Sequence, residues 1–162
     1  MLRIYIHYPQ YREEIIDKLE TKDLLFNLSE HRFLWQQIIA IEDKIALASN
    51  KYSNNLLTEL HNRSLEFPEK MQEVTKFFYL NEKEKEDVFR TGLRIDNAIA
   101  SLELIAQKKY EVYCEKQLYS LNPTTDLESM QYYYQEIQKT KKLIQQLEPI
   151  RLSSTEYLVS EQ

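Results

Sequence analysis

Residues 29–48 read SEHRFLWQQIIAIEDKIALA. Phe33, Leu34, Ile38, Ile41, Ile45 and Ala48 recur at intervals of three and four, which gathers them on one face of an α-helix. Ser29 stands at the N-cap position, where a hydroxyl takes up an orphan amide of the first turn. The polar pair Ser49-Asn50 closes the segment. The rest of the chain agrees with this helix. Gly92 is the one glycine among 162 residues, where average usage of about 7% would supply roughly eleven. Glycine supplies positive φ and close backbone approach. A chain without it has no dinucleotide fingerprint, no Walker-type loop, no nucleophile elbow and no Asn-Gly hairpin. Leu, Ile, Glu, Lys and Gln fill its place, and these lose little freedom in a helix. The prediction is an all-α protein that binds rather than catalyses.

Toward the N-terminus, Leu2, Ile4, Ile6 and Tyr8 alternate as a strand would. No second strand signal follows, so the reading is a short helix ending before Pro9. Pro9 then opens a helix over residues 10–20 with Tyr11, Ile15, Ile16 and Leu19 inward. A connector, residues 21–28, tucks Leu24, Leu25 and Phe26 into the core. Beyond Asn50, two more helices are predicted over residues 54–64 and 68–80, the second with Pro68 in its first turn.

From residue 81 the character changes. Asn81 with Glu84 makes a capping box, and EKEKED behind it a solvated face. Gly92 is read as a left-handed residue closing that helix, with a tolerated mid-helix glycine as the alternative. Ile95, Ala98, Ile99, Leu102, Ile105, Ala106, Val112 and Tyr113 then form one long stripe reaching Leu121. Asn122-Pro123-Thr124-Thr125 is a turn. Thr125 with Glu128 is a second capping box, opening a helix to about Leu147 that carries Leu127, Met130, Tyr133, Tyr134, Ile137, Ile144 and Leu147 on one side. The expected architecture is a compact helical bundle, residues 1–92, then a protruding antiparallel helical hairpin, residues 93–149, then a flexible tail, residues 150–162.

Charge and composition narrow the function. Residues 1–80 carry 10 basic and 12 acidic side chains, and residues 81–162 carry 11 and 14. Neither half is the basic surface that phosphate binding needs, so no direct nucleic-acid contact is expected. No run approaches the ~18 apolar residues of a membrane span, so no membrane contact is expected either. A lone cysteine, Cys114, forms no internal disulfide and suits a reducing, cytoplasmic setting. The apolar pattern begins at Leu2, as it would in a fragment of a longer protein. His7, His31 and His61 show no paired spacing and no cysteine to complete a zinc set, so no metal is expected. Beside a helix N-terminus, the charged form of His31 is disfavoured by the dipole. Cys114 lacks a histidine base and reads as a quiet interface or surface thiol. No catalytic residue, cofactor or small-molecule substrate is indicated.

A two-helix hairpin buries one face of each helix and leaves apolar area for a partner. Tyr110, Tyr113, Tyr119, Tyr132, Tyr133 and Tyr134 all fall there. Three consecutive tyrosines cannot share one seam, because successive helical residues lie about 100° apart. The partner-binding candidates are Tyr119, Tyr132, Tyr133 and Ile144, with Lys139, Lys141 and Lys142 as a charged rim. The bland reading of the three lysines is placement in the last turns of a helix, where the macrodipole favours cations.

The runs LRIYIHYPQYREEI and LLFNLSEHRFLWQQIIAIE resemble the C-terminal helicase-binding domain of bacterial DnaG-type primases, of cyanobacterial type. In that family an apolar helix ends at a His-Pro or Tyr-Pro turn. A connector with a buried aromatic residue then leads to an N-capped helix bearing His-Arg-Phe and a Leu-Trp pair, here His31, Arg32, Phe33, Leu34 and Trp35. The resemblance is detailed over about the first 45 residues and architectural beyond them, since the family also appends a helical hairpin. It implies a non-catalytic domain that tethers primase to the N-terminal ring of the hexameric replicative helicase, the hairpin gripping and the bundle modulating. The zinc module and polymerase domain would lie upstream. Two alternatives stand beside it. The N-terminal domain of the helicase itself has a related fold with a longer lead-in, and a small all-α nucleic-acid-handling protein is the other.

Overall fold

Pro9 leaves the chain no amide with which to continue its first helix, and the backbone turns at Tyr8. The computed structural model describes residues 1–47, 55–80 and 91–159. Its first helix, α1 (Leu2–His7), ends at Tyr8, and a 3₁₀ turn, Pro9–Tyr11, leads into α2 (Arg12–Thr21). Leu2, Ile4, Tyr5 and Ile6 are all buried, so α1 is covered on most of its sides. That all-round burial explains why its sequence alternates like a strand.

Glycine is not used to end α2. Asp23 takes the left-handed conformation at φ 48°. The amide of Leu24 donates to the carbonyl of Leu19 at 2.9 Å and that of Asp23 to Glu20 at 3.1 Å, the paired bonds of a Schellman close. Aspartate tolerates this conformation better than most residues. In the connector that follows, Leu24 and Phe26 are buried, whereas Leu25 is 76% exposed. Burial alternates along this stretch, so only two of the three expected core residues face inward.

Helix α3 (Ser29–Leu47) buries Leu34, Ile38 and Ile41. Its first backbone bond runs from Arg32 to Leu28, so Ser29 is the first helical residue rather than the cap. Ala48, the closing Ser49-Asn50 pair and the predicted start at Asn54 lie outside the described residues. Helix α4 (Leu56–Glu66) is capped by Asn55, whose side chain accepts from the amide of Leu57. The helix expected over residues 68–80 is broken. It consists of α5 (Pro68–Met71) and a 3₁₀ turn, Thr75–Phe78, which together bury Met71, Val74 and Phe78. The break leaves carbonyls for distant donors. Arg3 donates to the carbonyl of Lys76 at 3.0 Å, and His7 meets that of Phe77 at 2.9 Å.

A polar knot ties α1, α2 and α3 together. Arg12 donates to the carbonyls of Tyr5 and Ile6 at 2.9 and 3.3 Å and pairs with Glu42 at 3.0 Å. The Tyr5 hydroxyl donates to the other oxygen of Glu42. Burial, then that bond, push the Tyr5 hydroxyl well above the usual tyrosine range. Fully buried Tyr5 meets Trp35 edge-on, and Trp35 meets Phe26. Trp35, itself half-buried, therefore lies at the rim of the core.

The chain divides into two compact units, Met1–Ile95 and Asp96–Gln162. The second is built from α6 (Thr91–Ser120), from Asp96 onward, and α7 (Leu127–Val159), an antiparallel hairpin. Ala100 and Leu104 pack with Ile144 and Leu147 in its core, and Cys114, Ile137 and Thr140 are buried as well. The fold is all-α, a helical bundle followed by a long hairpin, and no strand occurs among the described residues.

Three local expectations change here. The Asn81–Glu84 capping box and EKEKED lie outside the described residues. Gly92 is the second residue of α6 and does not adopt positive φ, so it closes no helix. At the hairpin turn the Thr125 hydroxyl donates to Asp126, whose carbonyl accepts the first helical bond from Met130. The helix therefore begins one residue later than the Thr125–Glu128 box implies. Helix α7 also continues through Pro149 to Val159, where the sequence suggests an end near Leu147 and a tail from residue 150. Proline removes one backbone bond and crowds the preceding turn, which disfavours a helix without forbidding it.

Candidate functional site

A helix pair buries the stripe each helix turns toward the other. In α7 that stripe is Tyr133, Ile137, Thr140, Ile144 and Leu147; the last four are buried and Tyr133 half-buried. Ile144 is therefore not on the partner-facing surface proposed for it from sequence. It is 9% exposed and belongs to the hairpin core. Tyr132 and Tyr134 flank the stripe on opposite sides and are 54% and 59% exposed. This follows from the 100° step between neighbours.

One side of the hairpin gathers aromatic rings from both helices. Tyr110 stacks on Tyr113 with ring centroids 6.2 Å apart, Tyr113 meets Tyr133 at 6.5 Å, and Tyr133 meets Tyr132 at 5.2 Å. The Tyr110 hydroxyl donates to Glu136 at 3.2 Å, and Lys139 donates to the same carboxylate at 2.6 Å. Hydrogen bonding, first with Tyr132, pushes the Tyr110 hydroxyl above the tyrosine range. Burial does the same for Tyr133, helped by Tyr113. Lys139 holds the carboxyl of Glu136 below its usual range, and Glu136 raises the ammonium of Lys139. The Tyr110 and Tyr133 hydroxyls thus stay neutral, as donors and acceptors on the patch. Cys114 is fully buried beside Tyr110 and Tyr133, not a surface thiol.

The remaining candidates are dispersed. Tyr119 is 88% exposed but sits nine residues from Tyr110, half a turn out of phase, on the other side of α6. Lys141 points to that other side and pairs with Glu111 at 3.7 Å, near a second cross-helix pair, Lys108–Glu148, at 3.4 Å. Lys142 is exposed on the outer face of α7. Because α7 runs on to Val159, the three lysines lie mid-helix, and the macrodipole does not account for them. Sequence reading passed over Glu136, Leu143 and Ile150 and did not single out Tyr110 or Tyr113. The signal was present in the Tyr110/Tyr113 spacing of three and in the spacings of 11 and 7 that put Tyr132, Leu143 and Ile150 on one line.

The first unit holds a cleft of about 540 Å³ lined by Ser29, Glu30, Arg32, Phe33, Gln36, Glu69 and Lys70. Its cations are engaged internally. Arg32 donates to the carbonyls of Phe26 and Asn27, and Lys70 sits 5.1 Å from the centroid of the Phe33 ring. The histidines are similarly occupied. His31 lies edge-on to Phe77 at 5.3 Å, and burial, then Lys76, hold its pKa below the usual value, a direction expected but through a different cause. His61 meets the carbonyl of Leu57 at 2.8 Å. Among the described residues no cluster of potential ligands could hold a metal ion, and no helix is long and apolar enough to cross a membrane.

Comparison with known proteins adds one relationship. Over 153 residues, 94% of its length, the chain is 37% identical to a DNA primase from Synechocystis sp., of which it spans 24%. No protein-family model and no solved structure matches. The chain is thus similar along nearly its whole length to about a quarter of a primase, as the resemblance in LRIYIHYPQYREEI and SEHRFLW implies.

Proposed function

We propose that this chain is the helicase-docking domain of a DNA primase, a non-catalytic module that tethers primer synthesis to the N-terminal domain of the hexameric replicative helicase in the cytoplasm. The observation that carries the reading is the tyrosine face of the hairpin, in a chain similar to part of a primase. Exposed, mutually packed tyrosines are costly to leave facing water alone and are the side chains from which interfaces draw most of their energy. In this reading the domain docks, and primer synthesis would be carried out by other parts of the primase.

Isothermal titration of the chain into the N-terminal domain of the cognate replicative helicase tests this. Replacing Tyr132 and Tyr133 together with alanine is expected to weaken binding by about 1–2 kcal/mol, the scale of a hot spot, with the melting curve of the bundle unchanged. Absence of binding by the native chain refutes the proposal. A salt dependence as steep as phosphate contacts produce, measured with single-stranded DNA, would favour nucleic-acid handling instead.

A further inference from the structure

We infer that the hairpin engages its partner through one side only, the face carrying Tyr110, Tyr132, Leu143 and Ile150, and that the occupant is an amphipathic helix with acidic residues along one flank. The inference rests on the helicase-docking reading and narrows it to a face and a chemistry. Tyr132, Leu143 and Ile150 are 54%, 40% and 45% exposed. From first to last they span 18 residues, five whole turns, so they lie on one line about 27 Å long down α7. Tyr110, hydrogen-bonded to Glu136 across the seam, widens that stripe onto α6.

The opposite side is built differently. It carries the cross-helix pairs Lys108–Glu148 and Glu111–Lys141, in which three of the four side chains keep about half their exposure. Covering them would strip water from four charges, a larger penalty than covering tyrosine and aliphatic surface. Size and charge select the occupant. A stripe of about 27 Å on a two-helix face roughly 20 Å wide offers on the order of 500 Å², short of the ~800 Å² per partner of a standard stable interface. That suits one helix better than a second copy of the chain. Along the solvent edge of the stripe, Lys139 is already matched by Glu136 at 2.6 Å, and exposed Lys142 stands one turn further on. An occupying helix gains by placing carboxylates opposite Lys142.

Titration of the full chain against the N-terminal domain of the cognate replicative helicase separates the outcomes. Leu143→Ala, Ile150→Ala and Tyr132→Ala are each expected to weaken binding about tenfold. Lys142→Glu should weaken it about threefold, less as salt rises. Val112→Ala and Tyr134→Ala, on the other side, should stay within about twofold, as near-neutral positions do. Circular dichroism melts establish that each variant is folded, and Leu143→Gln serves should Leu143→Ala fail to fold. Loss of binding from Val112→Ala and Tyr134→Ala, with the stripe variants neutral, overturns the face while leaving helicase docking standing. Sedimentation equilibrium showing a native dimer that Leu143→Ala dissociates assigns the stripe to a second copy and overturns the occupant. A native chain that does not bind the helicase domain removes the docking reading itself.

Discussion

In the bundle, Tyr5, Trp35 and Phe26 meet at ring distances of 4.8 and 5.6 Å with Tyr5 entirely buried. In the hairpin, Tyr110, Tyr113, Tyr133 and Tyr132 pack at comparable distances, yet Tyr113 and Tyr132 keep about half their surface in water. The difference comes from how many elements surround each ring. In the first unit α1, α2, α3 and the connector close around Tyr5 and Trp35, and the one hydroxyl among them is satisfied by Glu42. A helix pair closes around a single stripe, so every tyrosine off that stripe stays at the surface. One residue type thus lies in the core of one unit and at the surface of the other, decided by architecture and not by composition.

Core truncation breaks this comparison most strongly. Leu34 is fully buried among the bundle helices, and Leu34→Ala should cost about 3 kcal/mol, enough to lower the melting temperature of the bundle sharply. Ile144→Ala, at the thinner hairpin seam, should cost less, about 2 kcal/mol, because the cavity is open to collapse from the sides. Hydrogen exchange resolves the two. Leu34→Ala should raise exchange in α1 to α5, and Ile144→Ala in α6 and α7. Uniform loss of protection from either variant would mean that the two units open as one.

How legible each unit was follows the same contrast. The α3 stripe, the starts at Pro9 and Pro68 and the hairpin turn are local signals, written within a few residues of where they act. The break after Met71 is not local. It depends on Arg3 and His7, over seventy residues away, taking the carbonyls of Lys76 and Phe77. Leu25 and Ile144 were misplaced for related reasons. Hydrophobicity indicates that a residue prefers burial, but the path of the connector and the register of α6 on α7 decide which one obtains it. Of the face proposed for docking, Tyr132 was named from sequence, whereas Tyr133 lies on the stripe that α7 turns toward α6. Glu136 and Lys139 became a pair, and Lys141 moved to the other side, only once the helix phase was fixed.

Acidity sharpens the comparison more gently. The pKa of His31 is held down by burial and by Lys76, so the unfolded chain binds the proton more readily than the folded one. With the folded pKa depressed below about 6.5, stability is full at neutral pH and declines as pH falls through that value. The bundle should therefore melt earlier at pH 5 than at pH 7.5, and His31→Phe should flatten that part of the dependence. The hairpin contains no histidine, so its exchange rates, corrected for intrinsic chemistry, should show no matching loss over this range. An unchanged pH slope in His31→Phe would assign the effect to another group.

The smallest expected effect concerns Gly92. As a left-handed helix closer it would resist any side chain, and Gly92→Ala would destabilise. Its position within α6, without positive φ, predicts the opposite sign. A methyl group built on it meets no atom within 4 Å, so nothing must move to admit one. Alanine also costs the unfolded chain conformational freedom that glycine retains. Gly92→Ala should therefore stabilise the protein by about 0.5 kcal/mol, less than the full helix-interior difference because Gly92 lies near the start of α6. Chemical denaturation compared with the native chain reads that shift, and a destabilisation would restore the glycine as a true break between bundle and hairpin.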